Sequence, residues 1–140
     1  MTNANLFPCL RYDDAPAAID FLCEAFGFAR HAVYADDQDA RIIHHAQLTL
    51  GPSMVMLSSV RPGEYVELYG WKTVVEAGGI TSCIAAHVAD PDAHHDRAKA
   101  AGAEIVAGPR DNAGYPGRSY DVRDPEGYVW NFGSYDPWKG

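Results

Sequence analysis

The chain has 140 residues, 47% of them hydrophobic and 21% charged, with 19 Asp and Glu against 11 Lys and Arg for a formal net charge of -8. That length suits one domain, or two small modules sharing a core, and the composition argues against disorder and fibrous repeats. The negative balance repels nucleic-acid phosphate and anionic lipid, and no window approaches the roughly 18 apolar residues of a membrane span, so neither nucleic acid nor membrane is an expected partner. The opening MTNANLFPCL carries no basic segment ahead of an apolar run, so the expected compartment is the cytoplasm. Cys9, Cys23 and Cys83 are odd in number and form no CxxC; small buried residues in a reducing compartment are expected.

In chain order, LFPCLRY (6–12) reads as a short strand. It leads into DDAPAAIDFLCEAFGF, where Asp13 or Asp14 caps a helix, Pro16 sits in its first turn and Gly27 stops it. Ile19, Leu22, Cys23 and Phe26 recur at helical spacing and form one apolar stripe. Three extended segments follow, RHAVYA, RIIHHAQLTL and SMVMLSS, the last two joined by GPS. Residues 60–80, VRPGEYVELYGWKTVVEAGGI, show no clear period and read as a linker or flap. The same order then repeats: TSCIAAHV as a strand, a helix capped by Asp90 with Pro91 inside and Gly102 as stop, then EIVAG, GRSYDVR and YVWNFGS. The turn DPEG joins the last two.

Each half therefore reads β-α-β-β-β, and the expected fold class is α+β: a single domain, 1–140, with module 1 at about 5–59, a linker at about 60–80 and module 2 at about 81–135. Neither half would bury much surface alone. The expected architecture pairs the two βαβββ modules into a curved mixed sheet with helices outside and a cup inside.

Strand alternation assigns faces. Ile42, His44, Ala46, Leu48 and Leu50 form one mostly apolar face, expected to pack on helices, and Ile43, His45, Gln47 and Thr49 the face expected to line the cup. Adjacent His44 and His45 on a regular strand point opposite ways, so one ion would not take both. On the last strand Tyr128, Trp130 and Phe132 share the core face and Asn131 points into the cup. The same parity gives a ligand-binding cup of Phe7, Cys9, Arg11, His45, Gln47, Cys83, His87 and Asn131. Arg11 reads either as an anchor for an anionic ligand or as half of a rim salt bridge. Tyr69 and Trp71, with Tyr65, form a lid candidate that could stack on a flat or cationic ligand, staple the linker or make a dimer contact. Tyr115 and Arg118, in the loop PRDNAGYPGRSY, form a second lid candidate. His94 and His95 lie on the second helix and read as packing and surface. Dinucleotide, nucleotide, serine-hydrolase and zincin motifs do not occur.

The doubled β-α-β-β-β pattern, the segments DDAPAAIDFLCEAFGF and DAHHDRAKAAGAEI and the closing DPEGYVWNFG resemble the vicinal oxygen chelate superfamily of glyoxalase I, bleomycin resistance proteins and extradiol dioxygenases. Residues 76–133 look like its uncharacterised glyoxalase-like branch. In glyoxalase-type members four strand positions supply metal ligands; carried over, they fall on Phe7, on Met56 or Val55, on Cys83 and on Asn131. A catalytic divalent ion takes His nitrogen or carboxylate oxygen, so no metal and no other cofactor is expected there. The resemblance then implies a metal-free homodimer, like the bleomycin-binding proteins, sequestering a cationic or aromatic, antibiotic-like small molecule, with no catalytic residue assigned. The alternative is a metal-dependent lyase, isomerase or dioxygenase with a relocated site, in which His45 and His87 hold a divalent ion acting as a Lewis acid.

Overall fold

The structure, a computed structural model, describes residues 4–140. Its elements are β1 (Cys9–Tyr12), α1 (Ala15–Phe26), β2 (Ala29–Ala35), β3 (Ile43–Leu50), β4 (Ser53–Ser59), α2 (Glu64–Tyr69), α3 (Val74–Ala77), β5 (Ile84–His87), α4 (Pro91–Ala100), β6 (Glu104–Asp111), β7 (Arg118–Arg123) and β8 (Val129–Gly133). The chain divides into two compact units, one running to Cys23 and resuming over Gly27–Thr73, the other made of Glu24–Phe26 and Val74–Gly140. Each holds one four-stranded mixed sheet, in the orders β1-β4-β3-β2 and β5-β8-β7-β6. The first-to-last pairing is parallel and the others antiparallel in both, as a repeated β-α-β-β-β requires.

The two long helices start and stop for the reasons their sequences give. Asp14 Oδ1 accepts the Ala17 N–H at 3.1 Å, and Asp90 Oδ1 accepts that of Ala93 at the same distance, with a proline in the first turn of each helix, Pro16 two residues after its cap and Pro91 directly after its own. Gly27 ends α1 at φ +85°, its N–H returning to Cys23 O while Phe28 N–H returns to Leu22 O. On α1 Ile19, Leu22 and Phe26 are buried as the stripe requires, joined by Ala15, Ala18 and Ala25; Cys23 is only half-buried.

In the first unit, register places Leu10 beside Leu57 and Leu57 beside Ala46, with Leu48 beside Val55, and all five are buried. The face assignment for the start of β3 needs correction. Tyr34 pairs with His45 but Ala35 pairs with Ile43, so His44 is an extra residue, a β-bulge, and the alternation skips one step. Ile43, expected on the polar face, is buried with its N–H on Ser59 Oγ at 2.8 Å. His44, expected against the core, is exposed.

The segment read as a linker or flap carries α2 and α3. The helix α2 is six residues long, ended by Gly70 at φ +60°, and buries none of its side chains. A helix that short, with nothing to bury, leaves no apolar period to detect.

The second unit is built on aromatic packing. Trp130, Phe132, Tyr120 and Val122 are buried, with Phe26 from the last turn of α1 at 4.8 Å from Phe132 and 5.5 Å from Trp130 between ring centroids. At the turn before β8, buried Asp124 accepts the N–H groups of Glu126 and Tyr128 at 3.1 Å and the Trp130 indole N–H at 3.2 Å. Gly127 completes that turn at φ +98°, and a Cβ there would meet Val74 Cγ1 at 2.9 Å.

His94 of α4 joins the same core. Its Nε2 donates to Phe26 O at 2.9 Å, so Nδ1 accepts the Tyr120 hydroxyl at 2.5 Å and the ring is neutral. Burial pushes its pKa below the usual 6.5 and pushes the Tyr120 phenol up. The unfolded chain therefore takes up a proton that the folded chain refuses as pH falls. This contribution to stability is complete above pH 6.5, declines below it, and levels off once pH has passed the depressed folded value. Urea unfolding between about pH 8 and 5 is expected to show that decline, and His94→Gln to make it shallower.

Candidate functional site

Each sheet leaves one face uncovered by its buried row. In the first unit Cys9 pairs with Met56 and Met56 with Gln47, while Arg11 pairs with Ser58. Cys9, Arg11, Gln47 and His45 thus fall on the face opposite Leu10, Leu57 and Ala46, and Phe7, 46% exposed, lies just ahead of β1. Of the two residues proposed for one carried-over position, Val55 is buried against Leu48, so Met56 occupies the open face. Gln47 Nε2 donates to His45 Nε2 at 3.1 Å, and the imidazole stacks on Tyr34 with centroids 6.2 Å apart. Cys9 and Cys83, expected to be buried, are exposed, because neither joins a core row.

At one end of the first sheet lies a cavity of about 240 Å³ lined by Arg11, His44, Ser58, Arg61, Glu64 and Trp71, among others. Arg11 is only 8% exposed; its Nη2 donates to Arg61 O at 2.9 Å and Ser59 O at 3.4 Å, and its Cζ lies 5.1 Å from the Trp71 ring centroid. Trp71 is thereby a wall of this cavity. Tyr69, 67% exposed, stacks on it at 5.7 Å and meets Tyr65 edge-on at the same separation.

In the second unit, Ala85, Asn131 and Asp121 lie side by side on the open face. Asn131 Nδ2 donates to Asp121 Oδ1 at 2.7 Å and Arg110 Nη2 donates to Asp121 Oδ2 at 2.6 Å. The carboxylate is thus shared between a neutral amide and a guanidinium. His87 lines a separate cavity with Ser134, Tyr135, Asp136 and Lys139. Tyr115 packs edge-on against Tyr135 at 5.2 Å. Arg118, expected on a lid, opens β7 instead and is fixed: Nε and Nη2 donate to both Asp92 oxygens at 3.0 Å and Nη1 donates to Asp111 at 2.9 Å. These bonds hold the Asp92 carboxyl below its usual range and keep the guanidinium charged.

Sequence reasoning missed Asp121, Arg110, His44 and Arg61. Counting outward from the DPEG turn pairs Asp121 with Asn131, so that neighbour was available from the sequence. The role of His44 was hidden by the bulge.

The donor set does not fit a hard divalent ion. The four carried-over positions hold a phenyl ring, a thioether, a thiol and an amide whose nitrogen is bonded to Asp121. Among the described residues no three His, Cys, Asp or Glu side chains gather in a way that could hold a metal. Nor is any helix among them long and apolar enough to cross a membrane.

Residues 6–132 match the model of the Glyoxalase/Bleomycin resistance protein/Dioxygenase superfamily, and the chain belongs to that family. An uncharacterized protein of Mycobacterium bovis is 35% identical over 130 residues, covering 91% of this chain and 81% of its own. The crystal structure of TioX from Micromonospora sp. ML1 superposes with a TM-score of 0.70 at 30% identity, covering 94% of this chain and 98% of that one. Glyoxalase I from Zea mays shares the fold at a TM-score of 0.71 and 20% identity, covering 93% of this chain and 44% of that one.

The Asn131 amide has a direct electrostatic consequence. Asn131→Asp sets a second carboxylate against Asp121, and the expected loss at pH 7 is about 1–3 kcal/mol of unfolding free energy. The loss should shrink toward about pH 4, where carboxylates protonate, as urea unfolding at the two pH values would show.

Proposed function

We propose that this chain is a small-molecule-binding member of its superfamily that works without a bound metal, as a homodimer in the cytoplasm, holding an aromatic or cationic, antibiotic-like ligand. The observation that carries this reading is the set Phe7, Met56, Cys83 and Asn131 at the positions where relatives would place metal ligands, with the Asn131 amide already engaged by Asp121. An aromatic ring, a thioether and neutral amides are poor partners for a hard cation and good ones for an organic molecule. Met56 and the His45–Gln47 pair on one open face, with the exposed Phe7 ring just ahead of β1, support an aromatic ligand. The cationic alternative is supported by the net charge of -8.

On this reading, ligand and not metal stabilises the fold. A thermal-shift screen of aromatic metabolites and antibiotics should find compounds that raise the melting temperature by several degrees, as expected for a ligand present at about 100 times its Kd. The shift should be the same with and without EDTA. A shift that EDTA abolishes would transfer the function to a metal-dependent reaction.

A further inference from the structure

The cavity of the first unit gathers positive charge on a chain that is acidic overall. Arg11 enters it from β1 and Arg61 from just beyond β4, and among the described residues Glu64 is the only acid in its lining. Two guanidinium groups line one cavity of about 240 Å³, so an anion placed there is attracted by both.

Both groups are held in place. Arg11 is fixed by the Ser59 and Arg61 carbonyls and by the Trp71 ring. Arg61 Nη1 donates to His44 Nδ1 at 2.6 Å. A guanidinium only donates, so this imidazole nitrogen accepts and the ring proton sits on Nε2, which donates to Asp36 Oδ1 at 3.0 Å. The Asp36 carboxyl is held below its usual range by the Gln38 N–H first, and then by His44. Asp36 therefore orients His44, and His44 orients Arg61. The remaining N–H groups of Arg61 have no protein partner among the described residues.

We propose that this cavity binds the oxyanion of a small ligand, a carboxylate, phosphate or phosphonate, with Arg61 as its direct partner and Arg11 as the second positive charge. The inference rests on the reading of the chain as a small-molecule binder and gives the ligand an anionic group. The planar guanidinium fork matches two oxygens of such a group, and the second guanidinium adds to the attraction. The β-bulge is part of the device, since it takes His44 out of the core row and leaves it exposed beside Arg61.

The test is an NMR titration of the ¹⁵N-labelled full chain at constant ionic strength with four probes: benzoate, inorganic phosphate, benzamide and benzylamine. Benzoate and phosphate should move the amides of His44, Arg61 and Glu64 and the Trp71 indole signal saturably. Arg61→Gln should weaken both by about tenfold or more, the scale of one charge-assisted hydrogen bond, while leaving the rest of the spectrum in place. Arg61→Lys should recover part of the affinity. If benzamide or benzylamine binds the same residues as well as benzoate does, the oxyanion assignment fails while small-molecule binding stands. Absence of any saturable shift from benzoate and phosphate, or unchanged affinity in Arg61→Gln, also overturns it; the broader binding reading is then decided by the ligand screen alone.

Discussion

The register between β7 and β8 is the constraint on which the second unit depends. Trp130 sits beside Val122 and Phe132 beside Tyr120, all four buried, and Asp124 ties the connecting turn to the Trp130 indole. A slip of one residue would send every one of these side chains to the opposite face. Several buried rings at about 1.5–3 kcal/mol each make such a slip prohibitive. Because the aromatic row is fixed, Asn131 is fixed too, on the other face and next to Asp121. The amide at this position is thus part of the sheet's electrostatics: it donates to a carboxylate that a second carboxylate would repel.

Much of this was legible in the sequence because it follows from local rules. Asp14 and Asp90 with their prolines mark helix starts, Gly27 and Gly102 mark their ends, and the repeat of that order predicts two β-α-β-β-β modules of equal topology, each of which holds its own four-stranded sheet. Trp130, Phe132 and Asn131 fall on the faces that alternation assigns. What escaped was non-local or irregular. The bulge at His44 breaks the period-two rule on which the facing of Ile43 and His44 was argued, and it depends on the pairing of β3 with β2 and on Ser59 Oγ taking the Ile43 N–H. The helix α2 buries nothing, so it leaves no apolar signature. Arg118 falls both in the loop PRDNAGYPGRSY and in the extended segment GRSYDVR; the strand reading holds, and what escaped is that two distant carboxylates, Asp92 and Asp111, fix its side chain.

Charge on this molecule differs locally from its sum. A net charge of -8 suggests affinity for cations, yet many of the acids are occupied by caps, turns and arginines: Asp14 and Asp90 at helix starts, Asp92 and Asp111 on Arg118, Asp121 on Arg110. The cavity of the first unit has the opposite character, with Arg11 and Arg61 set against Glu64. A small-molecule binder, as proposed for this chain, would select its ligand through the few charges that line its cavity, while the rest of the surface sets solubility. The superfamily fold supplies the open sheet faces, and the side chains placed on them decide the chemistry.

We propose that these side chains leave no place for a catalytic divalent ion. Elemental analysis of protein purified without chelator or metal-affinity resin, followed by calorimetric titration with Zn, Ni, Mn and Fe(II), tests it most directly. Only trace metal and no saturable heat of binding are expected. Close to one divalent ion per chain, bound saturably and lost on Asn131→Ala, would contradict it and restore a metal-dependent reaction to this fold.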